Sequence, residues 1–179
     1  MATYDLERDL NPIFGSVVPH VSDLILQVTQ LELQNVYQWA LEDVSRRYTG
    51  EADYAAAGAI KAAIDTSNRR RVLLIHTIDK QLKNCLAPTR DTQSAPEGRR
   101  FLASESLGQM VDRLTIIAIR LECCGRREQP IWRSEYRYLL NALAMAVDSA
   151  SRGWVSFPPA FAQKHYNGRA LIPASASNQ

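Results

Sequence analysis

Acid, amide and guanidinium side chains step through one stretch of this chain at three-residue intervals: Asp65, Asn68 and Arg71, followed by His76 and Asp79. A second group follows at Ser104, Glu105, Asp112 and Arg113, and an earlier one holds Trp39, Glu42, Asp43 and Arg46. In each, charged residues recur at helical spacing beside apolar ones. A buried charge is heavily penalised unless it is paired or put to use. Two chemistries fit the pattern. In the first, Arg71 or Arg113 grips a small anionic metabolite bidentately. Asp65, Glu105 or Asp112 then moves a proton, Asn68 and Asp43 line the pocket, and Trp39 walls it. His76 would support as a base, imidazole being the side-chain type best suited to proton transfer in neutral solution. In the second, the same groups are interhelical ion pairs that fix register, and His76 is a satisfied structural residue. Glu42 and Arg46 then form an ordinary i,i+4 pair on the surface.

What is missing narrows the first chemistry. The histidines are His20, His76 and His165, and no Glu-x-x-His pair occurs, so a carboxylate-bridged di-iron bundle is poorly supported. There is no Cys-x-x-Cys array, phosphate-binding loop, dinucleotide fingerprint or Gly-x-Ser-x-Gly elbow. The expectation for an enzyme is therefore acid–base chemistry with no metal and no cofactor: an isomerase, lyase or cyclase. Cys85, Cys123 and Cys124 make no disulfide framework, which fits a reducing cytoplasm. Adjacent cysteines cannot share a helix face, so one of Cys123 and Cys124 is expected in the core and the other outside it.

The elements that must position these residues are helices. At 179 residues with 46% apolar residues, one domain with a substantial core is expected. A net charge of +2 gives no mandate for nucleic acid, and Arg69-Arg70-Arg71 reads as a solvated helix face. No apolar run approaches the roughly 20 residues a bilayer span needs, and the start of the chain lacks a secretory pattern. Pro12, Gly15 and Pro19 mark residues 1–19 as an N-terminal arm, a short helix or extended piece followed by a turn; residues 20–167 form the domain, and 168–179 a fraying tail.

From His20 the apolar positions Val21, Leu24, Ile25, Val28, Leu31, Val36, Trp39, Ala40 and Val44 predict a first long helix. Ser22 is its expected N-cap and Gly50 its C′ residue. A second helix is predicted over about 51–86, with Ile60, Ile64, Leu74, Ile75, Ile78 and Leu82 as its stripe. At 1.5 Å per residue it would run roughly 50 Å, beyond the width of a small domain. A stripe that long asks for a partner, so a homodimer is expected. Residues 87–103 read as a polar loop. A third helix is predicted over about 104–124, capped by Ser104 or Ser106 and closed by Gly125, and a fourth starts after Pro130 and runs to about Ser151. Val155 and Phe157 are too few to predict a strand, and 159–167 fit a further helical turn.

The arrangement of these residues resembles a bacterial family catalogued as domain-of-unknown-function family 4254. Asn35, Trp39, Glu42-Asp43 and Arg46 match its entry helix. Ile64, Asp65, Asn68, Arg71, Ile75, Ile78 and Asp79 match its I-D-x-x-N-x-x-R…I-x-x-I-D pattern. Its S-E-T-P-G followed by I-D-R-L-S-I-L-A-L-K looks like Ser104-Glu105-Ser106-Leu107-Gly108 and then Val111 to Arg120. The resemblance covers about residues 31–121 and implies a helical bacterial cytoplasmic protein. The chain departs from the family at Arg71-Val72-Leu73, where Arg-Asn-Asp is usual, and at His76, where a Glu is common. Ser106-Leu107 replaces Thr-Pro. If the family's polar centre is a site, these changes alter its ligand or chemistry here.

Overall fold

A computed structural model describes residues 4–86 and 101–157. The predicted loop at 87–103 lies outside it up to residue 100, as do the tail and the predicted turn at 159–167. The protein is an all-α bundle of five helices among the described residues: α1 (Leu6–Phe14), α2 (Val21–Gly50), α3 (Tyr54–Leu86), α4 (Leu107–Cys123) and α5 (Gln129–Ser151). The helices α2 and α3 form an antiparallel hairpin, and α4 packs against α2, α3 and α5.

Why α4 is central follows from its composition. Of its residues, Leu107, Met110, Val111, Leu114, Ile117, Ala118, Ile119 and Leu121 are all buried, so it is apolar round most of its circumference. A helix of that kind is stable only when surrounded. The other helices bring single stripes to it: Leu24, Val28 and Leu31 from α2, Ile75, Ile78 and Leu82 from α3, and Leu139, Leu143 and Val147 from α5. Leu6, Leu10 and Phe14 of α1 join the same core, with the Tyr136 hydroxyl donating to Asp9 at 3.0 Å.

Three expectations need correcting. The α2 stripe does not continue through Val36 and Ala40, which face solvent; the core phase passes instead through Asn35 and Gln38, both buried. Ser22 is inside α2 rather than its cap, since His20 holds the N-cap position without a side-chain bond. Gly50 is the last helical residue rather than the C′ one, and the left-handed turn falls on Ala52 at φ 59°. Asp53 starts α3 directly afterwards by accepting from the Ala56 amide at 3.0 Å, so the turn is set by its cap and not by the glycine.

Smaller differences concern strands and cysteines. Phe101–Leu102 and Val155–Ser156 pair as a two-stranded parallel ribbon, β1 and β2. Two residues per strand are too short for alternation to show. Cys123 is exposed and Cys124 only half-buried, so neither lies in the core. The predicted ends of α4 and α5 hold: Ser106 caps α4 in a reciprocal box with Gln109, and Pro130 occupies the first turn of α5. No helix among the described residues is long and apolar enough to cross a membrane.

Candidate functional site

The motif residues meet where α2, α3 and α4 face one another. Asp112 is on the inner side of α4, with 6% of its side chain exposed. Arg71 reaches it from α3, donating from Nε to Oδ1 at 2.7 Å and from Nη2 to Oδ2. Asn35 reaches it from α2, its Nδ2 donating to Asp112 Oδ1 at 3.0 Å and to Thr115 Oγ1 at 2.8 Å. Thr115 in turn donates to the Asp112 carbonyl at 2.7 Å. The carboxylate thus accepts three hydrogen bonds from two other helices. A fork-on-fork guanidinium pair of this kind is both strong and directional. Its bond to Asp112 holds the Arg71 guanidinium above its ordinary pKa, against the opposing effect of burial.

A second polar chain runs beside the first. Gln34 donates to the Ser67 hydroxyl at 2.6 Å, Ser67 to Gln38 at 3.5 Å, and Gln38 to Glu42 at 3.1 Å. Ser67 occupies the core phase of α3, one turn beyond Ile64. The two chains together form a polar layer across the three helices. Buried polar groups persist when every member is satisfied, and such layers fix how helices line up.

The third motif cluster anchors the start of α4. Asp79 of α3 accepts from the Gly108 amide at 2.7 Å and from the Ser106 hydroxyl at 2.6 Å. A carboxylate at the first-turn amides favours the helix dipole. The backbones approach closely here: a Cβ at Gly108 would sit 2.6 Å from the Ile75 carbonyl oxygen and 3.0 Å from the Asp79 carboxyl. That explains why the third motif ends in glycine.

The remaining sequence candidates are not gathered in this layer. Asp65 lies on the solvent side of α3, 3.2 Å from Lys61. Asp43 pairs with Arg46 on the exposed side of α2. Glu105 and Arg113 pair at 2.6 Å, with 52% of the Arg113 side chain exposed. Asn68 and His76 are half-buried. Trp39 is half-buried and faces Arg120 of α4, whose guanidinium carbon is 5.9 Å from its ring centre. The residues that the motif reading passed over are Gln34, Gln38, Ser67 and Thr115, with Asn35 noticed only as a family match. The signal that locates Asn35 and Gln38 is phase: they fall at the core positions that follow Leu24, Val28 and Leu31.

Comparison with known families bears on these same residues. The family described as "Protein of unknown function (DUF4254)" matches residues 26–129. The chain belongs to that family. The matched segment contains the whole polar layer, the Asp79–Gly108 anchor and Trp39, but stops at the first residue of α5. No curated protein and no solved structure matches the chain.

Proposed function

We propose that this member of the family is a non-catalytic helical binding protein that works as a homodimer, with its family motifs holding α2, α3 and α4 in register. The observation that carries the reading is the closure of the Arg71–Asp112–Asn35–Thr115 network. The acid–base alternative asks the same arginine to hold an anion and a nearby carboxylate to carry a proton. Here the arginine spends its fork on that carboxylate, and Arg113 pairs with Glu105 on the outer side. The homodimer is supported by the outer face of α5. Ile131, Tyr138 and Met145 are spaced seven apart and are 63%, 71% and 71% exposed. A twofold axis at Tyr138 sets Ile131 of one copy against Met145 of the other, which gives a self-complementary interface.

A double-mutant cycle tests the lock. Removing one partner of a buried pair leaves an uncompensated charge, so Arg71→Met alone should cost about 3–5 kcal/mol in urea unfolding. Combining it with Asp112→Leu should recover most of that loss, because well-packed apolar pairs replace buried ion pairs at little cost. Residues kept for catalysis at the expense of the fold behave oppositely, and a single variant more stable than wild type would overturn the reading. Sedimentation of Tyr138→Glu should show the dimer dissociating with helicity intact.

A further inference from the structure

Among the described residues some arginines have found an acid and others have not, and Arg120 is one of the latter that lies at a helix junction against aromatic rings. Arg8, Arg46, Arg71, Arg113 and Arg152 each reach a carboxylate. Arg120, in the last turn of α4, makes no side-chain ion pair or hydrogen bond with any described residue. It lies instead between two indoles: its guanidinium carbon is 4.6 Å from the ring centre of Trp132 on α5 and 5.9 Å from that of Trp39 on α2. Its Nε is buried without a hydrogen-bond partner. Arg152 shows how the same arrangement looks when completed. It stands 5.3 Å over Trp154 and also donates from Nε and Nη2 to Asp148 at 3.1 and 3.0 Å.

We propose that Arg120, held between Trp39 and Trp132, is a recognition centre for a small oxyanion, a carboxylate or a phosphate, carried on an apolar body. Aromatic rings engage the faces of a guanidinium, so its edge donors remain free in the plane. The Nη edge of the guanidinium presents two donors with no acceptor among the described residues, and an oxyanion supplies two acceptors in that geometry. The indoles desolvate the cation, which strengthens that bond, and their edges offer contact to the apolar part of a ligand. All three residues are half-buried, and of the Arg120 donors only Nε is sealed off without a partner, so an anion approaches along the Nη edge and Nε reports binding without touching the ligand. The site draws on α2, α4 and α5 together, and Trp132 lies outside the segment matched by the family. It shares no residue with the Arg71–Asp112 lock, so either can fail alone.

The test titrates nitrogen-15-labelled protein, at constant ionic strength, with inorganic phosphate, phenyl phosphate and benzoate. The Arg120 Nε–H and the indole N–H resonances of Trp39 and Trp132 are followed. The expected result is a saturable shift of all three signals, stronger for the aryl anions than for inorganic phosphate. Saturation by benzoate alone assigns a carboxylate ligand, and saturation by phenyl phosphate alone a phosphate ligand. Arg120→Met should abolish the shift at both indoles. Arg120→Lys keeps the charge without the planar fork and should weaken binding about tenfold or more. Arg113→Lys should leave it unchanged. Should Arg120→Met not fold, the comparison of Arg120→Lys with Arg113→Lys decides. No saturable shift with any of the three anions overturns the proposal, as does equal affinity in the Arg120 and Arg113 variants.

Discussion

The two halves of the α2–α3 hairpin are built from one continuous antiparallel pair, yet they are held by different forces. In the proximal half, Leu24 to Gln38 and Ile64 to Leu86 carry the buried residues of the two helices, broken in α3 only around Arg71. In the distal half, residues 39–63, no residue is buried. Past Trp39, which still faces Arg120 of α4, Ala55, Ala56, Ala57 and Ala59 supply helix propensity in place of packing. A lone helix pair leaves one face of each helix in water. The hairpin is therefore a lever whose base is fixed by α4 and whose tip stands on local preferences. The polar layer of Asn35, Ser67, Arg71 and Asp112 marks the end of the base. Beyond it only Ile64 of the α2 and α3 stripes is buried, and the charges that continue the motif, Asp43 and Asp65, make only surface pairs.

The sharpest way to break this contrast is to remove an aspartate from each half. Asp112→Ala should cost about 3–5 kcal/mol, because it strands Arg71 and Asn35 in the interior. Asp65→Ala removes an exposed Lys61 pair and should change stability by no more than about 0.5 kcal/mol. Denaturant midpoints of the two variants check the pair. Equal effects would show that the layer does not divide the hairpin.

Glycines give the next-largest contrast, with opposite signs. Gly108→Ala forces a Cβ against the Ile75 carbonyl and the Asp79 carboxyl, so α3 and α4 must separate. The expected cost is about 1–3 kcal/mol, as for other overpacked contacts. At Gly58, in the distal half, a Cβ meets nothing within 4 Å. There alanine should stabilise by about 0.5–1 kcal/mol through propensity alone. Thermal melts of both variants decide. A Gly58→Ala protein that loses stability would mean that the tip is packed against something.

The tip turn supplies a finer test. Ala52 adopts φ 59°, a conformation that a Cβ disfavours. Ala52→Gly should therefore be neutral or stabilising by up to about 0.5 kcal/mol, unlike a mid-helix glycine, because relief of strain offsets the added freedom of the unfolded chain. The gain should appear as slower amide exchange at the ends of α2 and α3.

Much of this lever was legible in the sequence, and what was not has a physical reason. The four long helices rest on apolar repeats and caps that act locally, so the Leu139–Leu143–Val147 stripe, a serine cap at 104 or 106 and the start beside Pro130 could be read directly, whereas α1 was open between a short helix and an arm. The all-α bundle follows from them, and the family from the motifs at Asn35 to Arg46, Ile64 to Asp79 and Ser104 to Arg120. Partner choice could not be read the same way. Spacing places Arg71 on a face of α3, but only the crossing of α3 with α4 decides that it meets Asp112 and leaves Asn68 without that partner. Continuity misled at α2, where Val36 extended the apolar count while the true core phase turned polar at Asn35 and Gln38. A buried amide costs too much to be expected until its acceptors are in place. Arg120 was invisible for another reason: a basic residue in a last helical turn is usual, and nothing nearby in sequence announces two tryptophans from other helices.

The smallest expected effect lies at the base of the lever, where one charge is tolerated rather than used. Glu32 of α2 is half-buried, and desolvation, with the nearby charge of Glu122, raises its carboxyl above the ordinary glutamate pKa. The sign follows from linkage. A carboxyl whose folded pKa exceeds its unfolded value binds protons more tightly in the folded state, so its contribution is fully present below the unfolded pKa. That contribution is lost as pH rises through the folded pKa. The native protein should thus be slightly less stable at neutral pH than its neutral-side-chain variant. Glu32→Gln should raise the melting temperature at pH 7 and lose that advantage below about pH 4, where glutamates protonate anyway. Because Glu32 is partly solvated, the gain should be modest. Glu122→Gln should give part of the same gain by removing the charge that opposes Glu32, and the double variant should then give less than the sum. Additive gains would mean that the two carboxylates do not sense each other, and that burial alone sets the Glu32 titration.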